Sequence, residues 1–262
     1  MPKIVIVTGA SAGIGKATAE LFAKKGEIVY NVSRTPSNLS GVRDMCADVS
    51  NYDALKDAIE RIYASEKQID VLINCAGMGI SGSVESTPPK KLEKIFAVNF
   101  FGTAYASQLT IPYMRKKGRG AIINVGSVAG VLPIPFQAFY SATKAAVSSF
   151  GNALSQEVKP FGITVSTVLP GDVKTEFTSR REKNSDDDAS YGERIKKSVE
   201  KMERDEQNGL PASLVAERVY KLSKKKNPPI YTVCGKAYSA IVTIAKLLPD
   251  RLTAFIIGKL YG

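Results

Sequence analysis

Tyr140 and Lys144, in the stretch YSATK near the middle of this 262-residue chain, stand four positions apart. That is just over one helical turn, so a helix would present both on one face. A lysine ammonium beside a phenol favours the phenolate and draws the tyrosine below its ordinary pKa of about 10. A tyrosine tuned in this way gives or takes protons. Short patterns of this kind are common, so the pair alone favours a plain surface helix, and its surroundings must decide. The chain has no histidine, which removes histidine triads and histidine metal sites. Its three cysteines, Cys46, Cys75 and Cys234, are far apart and lack metal-ligand spacing. They read as small buried apolar residues, and neither a metal nor a disulfide framework is expected.

A second constellation lies near the start. The apolar run KIVIV at 3–7 leads into TGASAGIG, which places Gly9, Ser11, Gly13, Ile14 and Gly15 ahead of the helical pattern at 16–26. An open α/β sheet receives a dinucleotide at such a strand–turn–helix junction. The glycines let the pyrophosphate approach the backbone, and the helix start offers free N–H groups. The spacing departs from the common GxGxxG, so the strand–helix context carries the reading. At the end of the next strand, 27–33, stand Ser33 and Arg34. An NAD site keeps a carboxylate there for the ribose 2′-hydroxyl. An arginine fork suits a phosphate instead, which favours NADP(H).

Strand and helix patterns alternate to about residue 171, through helices at 51–66, 88–117 and 138–160 and strands at 69–77, 120–127 and 162–171, with a further short strand near 42–46. This alternation predicts an α/β fold, a single Rossmann-type doubly wound parallel sheet with helices on both faces. No linker divides the chain, so one domain spans 1–262. Beyond residue 175 the character changes. The charged segment 178–210 is read as too polar to join the core and as a lid over substrate. A helix at 213–226 and a strand at 228–233 return to the sheet, and 236–262 forms an apolar, basic helical extension broken at Pro249, expected to pack beside the lid and wall a hydrophobic pocket.

Composition sets outer bounds. Hydrophobic residues make up 44% and charged residues 23%, as in soluble globular proteins. No apolar run reaches the length of a membrane span. The opening MPKIVIVTG lacks the layout of a secretory signal, so a cytoplasmic protein is expected. The net charge of +11 is scattered, without the aromatic–basic interleaving of a nucleic-acid module, and no nucleic-acid partner is expected.

Taken together, these residues resemble the short-chain dehydrogenase/reductase family over roughly residues 3–176. TGASAGIG is similar to its glycine motif. Asp48 and Val49 resemble the segment that approaches the adenine. Asn74, Ala76 and Gly77 resemble the family's NNAG motif, with Cys75 in place of the second Asn. Asn99, Ser127, Tyr140 and Lys144 match the family's catalytic set, with the usual gap of thirteen residues between Ser127 and Tyr140. Pro170, Gly171, Val173 and Thr175 resemble the stretch along the nicotinamide.

The resemblance implies NADP(H)-dependent interconversion of a ketone or aldehyde and an alcohol. Tyr140 would exchange the proton, Lys144 would lower its pKa and hold the nicotinamide ribose, Ser127 would hold the substrate oxygen, and Asn99 would support a water linked to Lys144. The nearest branch by resemblance is that of 17β-hydroxysteroid and retinol dehydrogenases, implying a hydrophobic steroid-, retinoid- or lipid-like substrate. A homodimer or homotetramer is implied, packed through the helices that start near Pro88 and Phe136. Two other readings stand beside this one. The first is a non-enzymatic NADPH-binding regulator on the same fold. The second is weak peripheral membrane contact through Lys236, Lys246, Arg251 and Lys259 of the tail.

Overall fold

The computed structural model describes residues 1–184 and 189–262. Its sheet elements open with β1 (Ile4–Thr8), followed by α1 (Gly13–Lys24), β2 (Ile28–Ser33), β3 (Val42–Cys46), α2 (Tyr52–Glu66) and β4 (Val71–Asn74). A two-residue strand β5 (Ile80–Ser81) precedes a long helical run. That run is α3 (Pro89–Phe96), a π-helical segment (Ala97–Phe101) and α4 (Gly102–Lys117). Then come β6 (Gly120–Val125), α5 (Ala138–Glu157) and β7 (Ile163–Pro170). The last third holds β8 (Val173–Lys174), α6 (Phe177–Arg180), β9 (Glu182–Lys183), α7 (Arg194–Gln207), β10 (Leu210–Pro211), α8 (Ala212–Ser223), β11 (Tyr231–Cys234), α9 (Lys236–Ala245) and α10 (Asp250–Tyr261).

Seven strands form one parallel sheet in the order β11-β7-β6-β4-β1-β2-β3. The order reverses between β1 and β4, which opens a crevice at the carboxyl ends of those strands. The continuous apolar character of β1, β4 and β6 reflects burial on both faces. One face packs Phe22 of α1 and Val215 and Val219 of α8 against Val5, Val7 and Ile73. The other packs Leu55, Ile59 and Ile62 of α2, Ala106 and Met114 of α4 and Leu154 of α5 against Ile4, Ile6 and Ile122. Asn51 starts α2 by accepting the Ala54 N–H at 3.0 Å.

The segment 178–210 departs from the sequence expectation. It is not too polar to join a core. Arg181 is buried and ion-paired with Glu206. On α7, Ile195, Val199 and Met202 turn inward against Ile134, Phe136, Tyr191 and Tyr261. Two short ladders, β5 with β9 and β8 with β10, pin the segment at both ends. Along α7 most charged residues face outward or lie at the rim, and every third or fourth position supplies the buried stripe. Four residues of this span, 185–188, lie outside the described residues.

The small residues of α5 also serve this chain. Thr143, Ser148 and Gly151 are buried within it, and a Cβ on Gly151 would sit 2.6 Å from Thr167 Oγ1. They let α5 lie close on β7, while Ala142, Ala145, Ser149 and Ala153 of the same helix are exposed on its other face.

Candidate active site

The crevice continues into a cavity of about 620 Å³ along the carboxyl edge of the sheet. At one end is the turn between β1 and α1. Gly9 has a φ of +71°, and a Cβ there would come within 2.7 Å of Ala76 Cα. Gly15 leaves no room for a Cβ against the Gly9 carbonyl. The first turn of α1 has no acidic residue, and no side chain caps it. Its open N–H groups and positive dipole end therefore face the cavity, which suits a pyrophosphate. Thr8 Oγ1 accepts the N–H groups of Cys75 and Ala76 at 3.0 and 3.2 Å, holding the ends of β1 and β4 together.

Ser11, Gly13 and Ile14 line the same cavity, as do Ser33, Arg34, Asp48, Val49, Gly77, Pro170, Gly171, Val173 and Thr175. Asp48 accepts from the backbone and hydroxyl of Ser50, and its carboxyl lies below the usual range despite partial burial. The Ser50 bonds and the charge of Arg34 cause that fall. This donor set, with its glycine floor, fits a phosphorylated dinucleotide. Asn74 stands behind the wall, where its amide donates to Asn124 at 2.9 Å and Ser107 at 3.1 Å.

Ser127, Tyr140 and Lys144 meet at the centre of the cavity. The first turns of α5 carry Tyr140 and Lys144 on one face, and the Lys144 Nζ stands 5.8 Å from the Tyr140 ring centroid. Lys144 Nζ donates to the Val125 carbonyl at 2.9 Å, at the end of β6. Ser127 follows that strand end, and its hydroxyl stands near enough to the Tyr140 phenol to favour its ionised form. Asn99 sits in the π-helical segment, fully buried. Its side chain grips the Met78 backbone at both groups, accepting at 2.8 Å and donating at 3.0 Å, and donates to Thr143 Oγ1 at 3.0 Å. It thereby fixes the loop after β4 and the start of α5 relative to each other.

The electrostatics differ from the sequence expectation. Burial pushes the Tyr140 phenol up to about 12, partly opposed by the Ser127 hydroxyl. Burial also pulls Lys144 down to about 8. A dry site penalises both charged forms. Tyr140 is therefore a protonated donor at neutral pH. Cys75, raised to about 12 by burial, is a neutral thiol and no nucleophile.

The tail, expected from its apolar character to wall a hydrophobic pocket, lines the far half of the cavity through Tyr238, Ile241, Ile257, Leu260 and Tyr261. Ile134, Met202, Ile241, Ile257 and Leu260 form an apolar wall, interrupted by Asp172 and Glu206. Tyr238 and Tyr261 reach in from α9 and α10 and donate to Asp172 and to Asp205. The one sequence signal for this wall is the apolar character of 236–262.

Comparison with known proteins agrees with this arrangement. A family model described as short chain dehydrogenase matches residues 3–186. The 3-ketodihydrosphingosine reductase of Bacteroides thetaiotaomicron is 38% identical over 265 aligned positions, covering 100% of this chain and 98% of that protein. The NADPH-dependent 3-dehydrocapnine reductase of Ornithobacterium rhinotracheale is 29% identical, covering 95% and 94%. Among solved structures, a short-chain dehydrogenase from Streptomyces avermitilis superposes with a TM-score of 0.85 at 26% identity, covering 97% of this chain and 94% of that one. With its parallel sheet, glycine turn and central Ser127, Tyr140 and Lys144, the chain belongs to the short-chain dehydrogenase family.

Proposed function

We propose that the protein is an NADP(H)-dependent reductase of a ketone that carries a long apolar chain. One observation carries this reading: a single cavity runs from the glycine turn, past Tyr140, to the apolar wall of Met202, Ile241, Ile257 and Leu260. The glycine turn and Arg34 hold the phosphates of the cofactor, and the bound nicotinamide supplies hydride chemistry. Tyr140 donates its proton to the carbonyl oxygen, where negative charge develops. Ser127 holds that oxygen by a hydrogen bond. Lys144 sets a cation beside the Tyr140 ring, and Asn99 keeps the Met78 loop and α5 in register. Arg180 of α6 and Met202 and Glu206 of α7 close the substrate half. The names of the Bacteroides and Ornithobacterium relatives support a long-chain ketone over a steroid or retinoid.

NADPH oxidation over long-chain ketones, ketosteroids and retinoids tests the reading. Tyr140→Phe is expected to bind NADPH as wild type does and to lose about 10²–10⁴-fold in turnover. Substantial turnover by Tyr140→Phe would overturn the mechanism. NADPH binding by the wild type without oxidation against any carbonyl would favour the regulator.

A further inference from the structure

Asp172 is a carboxylate in the cavity wall that has no ion-pair partner among the described residues. It follows β7 by two residues and lines the cavity together with Tyr140, Ser127 and Pro170. Its side chain accepts from the neutral Tyr238 hydroxyl. Among the described residues no lysine or arginine forms an ion pair with it. The nearby cation, Arg181, is bridged to Glu206 instead, although its Nε and Nη1 have no acceptor. Glu206 is also held by the Thr178 hydroxyl, which donates at 2.6 Å. Burial raises the Asp172 carboxyl above its ordinary range, and Glu206 and Asp205 repel it further.

The backbone around Asp172 is fixed. The Leu210 N–H donates to the Asp172 carbonyl at 2.9 Å, and β8 pairs with β10 beside it. A Cβ on Gly209 would lie 2.5 Å from that same carbonyl, so the chains cannot separate or slide without loss of contact. A carboxylate drawn partly out of water with only a neutral hydrogen-bond partner destabilises a fold. This one is held rigidly in the cavity that contains the proton donor, and its charge is felt at the Tyr140 hydroxyl. The rest of the substrate wall is mainly apolar.

We propose that Asp172 selects the substrate by pairing with an ammonium group next to the reacting carbonyl, so that the preferred substrate is a 2-amino ketone with a long alkyl tail. The inference rests on reading the cavity as the site of carbonyl reduction. The carbonyl oxygen meets Tyr140 and Ser127, the amine turns to Asp172, and the tail follows Met202, Ile257 and Leu260 toward α10. The amine takes no part in the redox step. The carbonyl carbon gains a hydride, its oxygen gains the Tyr140 proton, and the ammonium is carried through unchanged.

The test compares a 2-amino-3-ketone and the matched 3-ketone without the amine, equal in chain length, in wild type and Asp172→Asn. Asparagine keeps an acceptor for Tyr238 and removes the charge. Wild type is expected to prefer the amino ketone in kcat/KM, and Asp172→Asn to reduce that preference by about 10–100-fold. Calorimetric titration of the NADPH-loaded protein with a long-chain 2-amino alcohol, and with the same alcohol lacking the amine, reads the same preference without turnover. An equal response to both ligands in wild type, or a preference that survives in Asp172→Asn, overturns the proposal. If neither ketone is reduced, the proposed reaction fails, and the titration still decides the role of Asp172.

Discussion

Arg34 stands at the exposed end of β2, where its charge lowers the Asp48 carboxyl across the cavity mouth. Ser33 turns its own hydroxyl to the Thr35 carbonyl at 2.6 Å, leaving Arg34 as the charged group that can meet a 2′-phosphate. Arg34→Ala should weaken NADPH binding by about tenfold or more and leave NADH binding nearly unchanged, as measured by titration. Equal wild-type affinities for the two cofactors would refute this assignment. Lys144 shows what the centre of the site costs. Its folded pKa of about 8 lies below the ordinary 10.5, so burial disfavours its charged form. The resulting instability is fully present below about pH 8 and fades as pH rises toward 10.5, because over that window the unfolded chain binds more protons. Lys144→Met should therefore be inactive yet more stable at pH 7, by up to about 3 kcal/mol, with the advantage shrinking at alkaline pH. Thermal melts across pH check it, and a lower melting temperature for the variant at pH 7 would contradict it.

At the scale of elements, the chain advertised what repeats locally. The apolar runs of β1, β4 and β6, the glycine turn ahead of α1 and the shared face of Tyr140 and Lys144 are each written within a few neighbouring residues. Asn99 was found by resemblance, but its π-helical setting was not legible, since the run Pro89–Lys117 reads as plain helix. The two-residue ladders of β8 with β10 and β5 with β9 have no periodicity to detect, and distant partners create them. The buried stripe of α7 is masked by its charges, and Asp172 looks like a loop residue until Tyr238 and Arg181 are seen around it. On α9, α10 and the turn between them, Ile244, Leu247, Phe255 and Ile256 point outward, with Leu247 81% exposed, among exposed Lys246, Arg251 and Lys259. No helix among the described residues is long and apolar enough to cross a membrane. The peripheral membrane contact expected of the tail would have to use this mixture of apolar and basic groups. Sedimentation with anionic vesicles should show binding that high salt removes and that Lys246→Glu with Arg251→Glu abolishes. Binding to neutral vesicles alone, or none at all, would discard a lipid-facing role.

At the scale of the molecule, a half-exposed aromatic patch covers the start of α4. Phe101, 44% exposed, stacks with Tyr105 at 6.0 Å between ring centroids, and Tyr52 meets Tyr105 edge-on at 5.2 Å. Phe100 and Phe150 join it from beneath, linking α4 to α5. A symmetric pairing through this patch would bury it on both copies. Phe101→Glu should convert a sedimenting dimer or tetramer to monomer with little change in melting temperature, and a wild type that is monomeric at micromolar concentration would count against the pairing.

The strand order also has a consequence in time. The seven-stranded sheet contains no hairpin, because every neighbouring pair is parallel and needs a crossover between its members. β1 aligns Val5 with Val71 of β4 across all of β2, β3 and α2. Loops of that length must close before any contact rewards them, which places the chain among slow folders. The glycine turn is local in sequence, yet its floor is Ala76, on the far side of that closure. During refolding, affinity for a dinucleotide is thus acquired after collapse and helix formation, when β4 docks on β1.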